Sequence, residues 1–172
     1  MTPGGRYKPA AGTPAYLVKL DRVLERVRIT SSPFVWLATG SREAEAEVWG
    51  QVITDVFGHL DTWLDSRPGL PENLLRVVRH GHARMGVDQL VDRRASRRGW
   101  TADRMPSNWG HWGRRSGIIR NAAMVEKYPY PDLCVAFFAE ISKGTADCAA
   151  QAHAAGIPTV SITVEDLYMP HV

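Results

Sequence analysis

Hydrophobic residues recur along the chain in two alternating patterns, short apolar runs and longer segments with helical spacing. Phe34 to Ala38 is a short run of β-forming residues, and Val48 to Leu64 places its apolar side chains on one helical face. Leu74 to Val78 predicts a second strand, and a helix beginning near Val87 follows it. This half of the chain therefore predicts two successive units of strand, turn and helix.

The second half continues the alternation. A brief third strand is predicted around Trp100 to Asp103, and a helix near Ile118 to Lys127 ends before two prolines. Leu133 to Phe138 carries no charge, as expected of a strand covered on both faces of a parallel sheet. An Ala-rich helix from Gly144 to Ala155 precedes a last strand from Pro158 to Val164. Five strands alternating with helices predict an α/β, Rossmann-like, doubly wound parallel sheet.

The N-terminal region lies outside this alternation. Met1 to Thr13 predicts a loose tail, and Pro14 begins a helix that extends to about Arg28. The apolar face of this helix either packs on its own domain or pairs two subunits, so a homodimer is one prediction. That face consists of Leu17, Leu20, Leu24 and Val27.

Length and composition favour one domain. The chain has 172 residues, 44% of them hydrophobic, which is enough for one core and too little for two. We expect a tail and helix over residues 1–30 and a single Rossmann-like domain over residues 31–172. Without an apolar run of membrane-spanning length or a signal peptide, we expect a cytoplasmic protein with no membrane partner. Cys134 and Cys148 are expected to be buried thiols rather than a disulfide.

The net charge of +3 is distributed unevenly. Residues 34–72 contain two basic and seven acidic side chains, whereas residues 76–120 contain eleven basic and three acidic ones. A positive surface of this kind attracts small anions or nucleic acid, and charge alone does not decide between them.

Three loops that follow predicted strands carry glycines suited to anion binding. In the first, Gly40, Ser41 and Arg42 precede a helix whose N–H groups are free, although Ser41 as a simple N-cap would look the same. The second loop has Gly81 and Gly86 in a spacing that suits a phosphate, without matching the dinucleotide or P-loop fingerprints.

The second loop also contains titratable side chains. His80 and His82 lack a third ligand at a regular spacing, so hydrogen-bonding histidines are favoured over a zinc site and no metal or cofactor is predicted. Asp88 is suited to orient a ribose hydroxyl or Arg84, and it equally fits the acidic first turn of a helix.

The loop after the fourth strand combines Lys143, Gly144 and Thr145 at a helix start, where lysine can neutralise a phosphate. Arg120 and Asn121 interrupt an otherwise apolar helix earlier in the chain. A charged group there needs a partner, either a ligand phosphate or a carboxylate such as Asp147.

Taken together these segments form four ordered motifs. They are Thr39-Gly40-Ser41-Arg42, His80-Gly81-x-Ala83-x-x-Gly86-x-Asp88, Gly117-x-Ile119-Arg120-Asn121-x-x-Met124 and Lys143-Gly144-Thr145-x-Asp147. The combination resembles the SLOG superfamily, most closely its YspA-like (cpYpsA-related, DUF2493) branch of bacteria and phages, over about Phe34 to Thr163. The resemblance implies strand order 3-2-1-4-5, with the first and fourth loops adjacent. It also implies a pocket lined by Gly40, Ser41, Arg42, Gly81, Gly86, Arg120, Gly144 and Thr145.

Relatives in this superfamily include the LOG phosphoribohydrolases, nucleotide sensors and the DNA-processing protein DprA. By resemblance to the hydrolases, Arg120 corresponds to a catalytic arginine and Gly144-Thr145 to a Gly-Thr pair. Those enzymes have Gly-Thr-x-x-Glu, whereas this chain has Cys148 at the acidic position and Asp147 one residue earlier. A shift of one residue turns a side chain by roughly 100° around a helix.

Three functions follow from the sequence. The first is binding or sensing of a phosphate-bearing nucleotide or derivative, such as an ADP-ribose-like, NAD-like or nucleoside monophosphate ligand. The second is hydrolysis of a nucleotide N-glycosidic bond by Arg120 and Asp147. The third is nucleic-acid binding by Arg93, Arg94, Arg97 and Arg98 together with Trp100, Trp109 and Trp112, which look exposed. A solvated helix whose cations complement its C-terminal dipole is favoured over this interpretation of the arginines. Trp109 and Trp112 either form a lid that stacks a base or cover the sheet edge.

Overall fold

The computed structural model describes residues 10–168, which form an α/β domain around one parallel sheet. The strand order is β3-β2-β1-β4-β5, and every adjacent pair is parallel, which confirms the predicted topology. The reversal of strand order lies between β1 and β4, at the centre of the sheet. The strands are β1 Phe34–Gly40, β2 Arg76–His80, β3 Thr101–Arg104, β4 Leu133–Phe138 and β5 Thr159–Thr163.

Helices cover both faces of the sheet and give it two cores. The larger core contains side chains of the first three helices and Trp36 of β1, and the smaller contains Leu37 of β1 with Met124 and Cys148. Neighbouring residues of β1 thus point to opposite cores, as the alternation of a strand requires. The helices are α1 Ala15–Leu24, α2 Ala46–Asp65, α3 Val87–Arg98, α4 Trp109–Trp112, α5 Ser116–Glu126, α6 Lys143–Ala154 and α7 Val164–Tyr168.

The N-terminal helix packs on its own domain. Leu20, Leu24 and Val27 are no more than 1% exposed and belong to the larger core. Lys19 forms an ion pair with Asp166 at 2.9 Å, which fixes α1 to the C-terminal end of the chain. The apolar face of α1 is therefore already covered, and the predicted homodimer would need another surface.

Several expectations about single elements differ from the structure. Helix α1 ends at Leu24 rather than near Arg28, because tight i+3 turns replace the helix there. Strand β2 was predicted over Leu74 to Val78 but is shifted by two residues, to Arg76–His80. The prediction ended too early because Arg79 and His80 are polar, although both are buried in the strand. Trp100 is only 4% exposed, with its ring 5.5 Å from that of Phe57, so the prediction that Trp100 is exposed was wrong.

The prediction for the two cysteines is confirmed. Cys134 and Cys148 are free and buried, as predicted. None of the helices described between residues 10 and 168 is long and apolar enough to cross a membrane. The predicted tail, Met1 to Thr13, lies mostly outside the described residues.

Candidate functional site

A cleft of about 330 Å³ opens at the carboxyl ends of β1 and β4, next to the loop that follows β2. Ligands of open α/β sheets bind at this position, because loops on either side of the order reversal separate there. The walls are formed by Ala38, Thr39, Gly40, Arg42, Glu43, Gly81, Ala83, Asp88, Gly117, Arg120, Asn121, Met124, Glu140, Ser142, Gly144 and Thr145.

Arg120 is held on the cleft wall by backbone and amide oxygens. Its Nη1 donates to the carbonyl of Gly81 at 2.7 Å, and its Nε donates to Oδ1 of Asn121 at 3.1 Å. A Cβ at Gly81 would lie 2.0 Å from Nη1, so glycine is required for this approach. Among the ion pairs of the described residues, none involves Arg120 or the exposed Arg42. Two guanidinium groups thus border the cleft without a carboxylate partner.

Asn121 and Asp147 connect α5 to α6 behind the cleft. Asn121 Nδ2 donates to Oδ2 of Asp147 at 3.0 Å and to the carbonyl of Gly144 at 3.1 Å. The same Asp147 oxygen accepts a hydrogen bond from Gln151 at 2.8 Å. Asn121 lies on the cleft wall, whereas Asp147 does not, and the carboxylate suggested as a partner for Arg120 instead holds two amides.

The N-terminus of α6 faces the cleft. Ser142 is its N-cap, with Oγ accepting from the Thr145 amide at 3.3 Å and lying 2.8 Å from the Thr145 hydroxyl. Thr145 is 2% exposed but still contributes to the wall. Apart from its chain neighbours and the backbone of its own helix, no atom lies within 4 Å of the position where a Cβ of Gly144 would stand, so the space beside this glycine is open. Lys143 is exposed and lies outside the wall.

The loop after β2 contributes a buried carboxyl group. Asp88 is 7% exposed on the cleft wall, and its Oδ2 accepts the Ala83 amide at 3.0 Å. Burial raises the pKa of Asp88, while the Ala83 amide and the positive charges of Arg120 and Arg42 oppose the shift. A buried acid with a raised pKa can hold a proton and donate a hydrogen bond to a ligand.

His80 supports this loop from below. It is fully buried, its Nδ1 accepts the His82 amide at 3.0 Å, and its Nε2 lies 2.9 Å from Asp92. Because Nδ1 accepts, Nε2 carries the proton and donates to Asp92. Arg104 also binds Asp92, at 2.7 Å. His80 therefore has the hydrogen-bonding role that the sequence favoured over a zinc ligand.

Ser41 and Gly86 join two loops instead of lining the cleft. The Ser41 hydroxyl accepts the Ala139 amide at 3.2 Å, and Ser41 is 1% exposed. It does not cap α2, which begins only at Ala46 after an N-cap at Glu45. Gly86 has φ +75°, and a Cβ there would lie 2.3 Å from the Ser41 carbonyl. The close approach of these backbones positions Arg42 beside the second loop.

The structure thus divides the predicted site residues into two groups. Those on the cleft wall are Gly40, Arg42, Gly81, Asp88, Arg120, Asn121, Gly144 and Thr145. Those away from it are Ser41, His80, Arg84, Gly86, Lys143 and Asp147. The sequence reasoning also missed wall residues, among them Glu43 and Glu140. Glu43 lies in the loop after β1 and Glu140 in the loop after β4. The search for anion-binding groups considered glycines and basic residues in these loops and therefore passed over the two acidic ones.

A second depression of about 470 Å³ adjoins the cleft, and we call it the outer groove. It shares Arg42, Gly81, Ala83 and Arg120 with the cleft. Its remaining wall is formed by His82, Arg84, Met85, Pro106, Ser107 and Trp109. The two arginines therefore stand where the two spaces meet.

Comparison with known proteins shows that the chain is similar to a phage protein. The gene 61 protein of Mycobacterium phage D29 is 37% identical to this chain over 90 residues, which are 49% of this chain and 70% of the phage protein. No protein-family model matches the chain, and no solved structure matches it significantly.

Proposed function

The chain belongs to the family of the gene 61 protein of Mycobacterium phage D29, and we propose that it binds a phosphate-bearing nucleotide or nucleotide derivative in the cleft. The observation that carries this proposal is the convergence of the α6 N-terminus with Arg42 and Arg120, two guanidinium groups that have no carboxylate partner among the described residues. Membership of the SLOG superfamily is part of the proposal and rests on the four motifs described above.

Two arginines and a helix N-terminus support an anionic ligand, although Glu43 and Glu140 lie on the same wall. A helix N-terminus presents free N–H groups and the positive end of a macrodipole, and together these favour a phosphate. The open space beside Gly144 allows an anion to reach the backbone there. Arginine binds phosphate oxygens through two parallel hydrogen bonds, and Arg42 has no ion-pair partner among residues 10–168 to compete for it.

The ribose-binding part of the proposal rests on Asp88. It lines the cleft beside Arg120 and offers a carboxyl group for a sugar hydroxyl, whereas the Asn121 amide is already bonded to Arg120, Asp147 and Gly144. A volume of about 330 Å³ is within the range of small-molecule sites and suits a sugar phosphate. Hydrolysis of a glycosidic bond is less well supported, because Asp147 is engaged by Asn121 and Gln151 away from the cleft.

Nucleic-acid binding has weaker support than the sequence indicated. Trp100 is buried in the core and Arg98 is paired with Asp61, whereas Arg93, Arg94 and Arg97 form no ion pair among the described residues. Of the predicted aromatic contacts, Trp109 and Trp112 stay exposed.

Isothermal titration calorimetry with AMP, ADP-ribose, NAD and ribose 5-phosphate tests the proposal. We expect saturable binding of at least one of them, and we expect Arg42→Ala to weaken it by roughly 10-fold or more, since one charge-assisted contact contributes about 1.5–3 kcal/mol. Arg42 is exposed, so its replacement leaves folding intact.

Arg26→Ala is the matched control, because Arg26 is also exposed but lies just after α1, outside both the cleft and the outer groove. Equal weakening by both variants would indicate a general charge effect. The absence of saturable binding of all four compounds to folded protein would refute the proposed function.

A further inference from the structure

The outer groove contains two large apolar side chains that no protein core covers. Trp109 is 57% exposed and Met85 is 55% exposed, and both line this groove. Trp109 belongs to neither core of the described residues, so it does not serve to cover the edge of the sheet. A large exposed indole at a concave surface indicates a binding site, because its apolar area is available to a ligand.

The position of Trp109 is fixed by the backbone around it. The Met105 amide donates to the His80 carbonyl at 2.9 Å, which attaches the segment after β3 to β2. Asn108 then caps the four-residue helix α4, with its side chain accepting the His111 amide at 3.1 Å. The indole is therefore presented from a segment anchored at the carboxyl end of the sheet, next to the proposed phosphate site.

We propose that the outer groove is a subsite for a nucleobase, which stacks on Trp109 while the phosphate of the same ligand lies between Arg42 and Arg120. The inference rests on the proposed function and extends it. Arg42 and Arg120 line both the cleft and the outer groove. A phosphate bound between them therefore lies where the two spaces meet, and the rest of the ligand can extend into either space. The ligand class is a nucleotide whose sugar phosphate occupies the cleft and whose base leaves it past the two arginines.

Chemistry favours a base over other aromatic groups at this place. Arg84 and Arg42 line the same groove as the indole, and guanidinium groups stack on bases and contact their acceptor atoms. Met85 supplies a polarizable thioether that adapts to a flat ring.

The test compares ligands with and without a base on two pairs of variants. Titration calorimetry is run with AMP, ADP-ribose and NAD, each against ribose 5-phosphate, for the wild type, Trp109→Ala, Trp109→Phe and Trp112→Ala. For the base-bearing ligand that binds most tightly, we expect Trp109→Ala to weaken binding roughly 5- to 150-fold, the range measured for base–aromatic stacking. Affinity for ribose 5-phosphate stays unchanged, because this compound has no base.

Trp109→Phe retains a ring and is expected to restore most of the affinity, while it abolishes the ligand-induced quenching of indole fluorescence that belongs to residue 109. Trp112→Ala is the matched control, since Trp112 is 48% exposed on the same short helix but packs against His111 outside the groove. It should bind every ligand like the wild type.

The outcomes separate this inference from the proposed function. If a base-bearing ligand binds the wild type and Trp109→Ala within twofold of each other, the subsite is refuted and the proposed function stands. The same conclusion follows if Trp109→Ala weakens ribose 5-phosphate as much as the nucleotide. If none of the compounds binds the folded wild type, both fail together.

Discussion

Replacing Gly86 by alanine tests the close contact that joins the first two loops of the candidate site. Gly86 has φ +75° and ψ −145°, a conformation almost restricted to glycine. A Cβ there would lie 2.3 Å from the Ser41 carbonyl oxygen and 2.5 Å from Cα of Arg42. Both neighbours are backbone atoms that no side-chain rotation can move away.

The expected cost has two parts. Backbone strain in such a region costs about 1–3 kcal/mol. Forcing an extra methyl group into a packed contact costs about 1–3 kcal/mol more. We therefore expect Gly86→Ala to lower the free energy of unfolding by about 4 kcal/mol. For a chain of this size, that corresponds to a fall in Tm of roughly 8–16 °C.

Gly99→Ala is the matched control. Gly99 ends α3 with φ +74°, but no atom lies within 4 Å of its Cβ position. Only the conformational term applies there, so we expect a loss of about 1 kcal/mol. Urea unfolding followed by tryptophan fluorescence measures both variants, and the comparison is valid if their m-values agree.

The two substitutions add the same methyl group at nearly the same φ, so the difference between them reports the contact with Ser41 and Arg42 together with the greater backbone strain at the ψ of −145°. Equal losses of stability would mean that the loops do not approach as described, and the position of Arg42 beside the second loop would then be wrong. A large loss for Gly86→Ala alone would support the joined loops.

Three further predictions concern stability and reactivity. Arg79 is fully buried and donates to Asp103 and three carbonyls, so Arg79→Met should cost about 3–5 kcal/mol in urea unfolding, whereas Arg93→Met, at an exposed site, should change stability by less than about 0.5 kcal/mol. Burial raises the pKa of Asp132 to about 6, so the folded chain binds more protons than the unfolded chain between about pH 4 and 6, and stability should fall as pH rises through this window. Asp132→Asn should remove that part of the slope in urea midpoints, and an identical slope in the variant would contradict the shift. Cys134 and Cys148 are buried, and burial raises the pKa of Cys148 to about 11, so both thiols should react with Ellman's reagent only as fast as the protein unfolds.

The fold was predictable because its central strands are continuous apolar runs, which indicate buried strands. Leu133 to Phe138 has no polar residue, and the predicted strand coincides with β4. Strand β2 was displaced by two residues because Arg79 and His80 are buried in it, each satisfied by partners far along the chain. Such partners are tertiary, so local sequence gives no signal of them. Trp100 looked exposed for the same reason, since its aromatic neighbours come from β1 and α2.

The candidate site was predictable only in part. Glycines and a basic residue after strands β1, β2 and β4 indicated which loops meet, because topology brings the carboxyl ends of parallel strands together. At the start of a helix, successive side chains differ in direction by about 100°. The spacing of residues in the sequence does not show which of these directions faces the cleft. Lys143 and Asp147 are therefore near the cleft in sequence but outside its wall. The outer groove depends on where the segment after β3 crosses the β2 loop, which no local pattern specifies.

The polar residues of these motifs form two layers with different tasks. His80 and Asp147 have their hydrogen-bonding groups occupied by protein partners, and they hold the loops in place from behind. Arg42 faces the open space, and Asp88 lies on the same wall with a raised pKa. Glu43 and Glu140 add two exposed carboxylates to this wall, and burial raises the pKa of Asp88. Because the groups behind the wall fix the loops, Arg42 and Arg120 stay at the junction of the cleft and the outer groove, where the proposed anionic ligand would meet them.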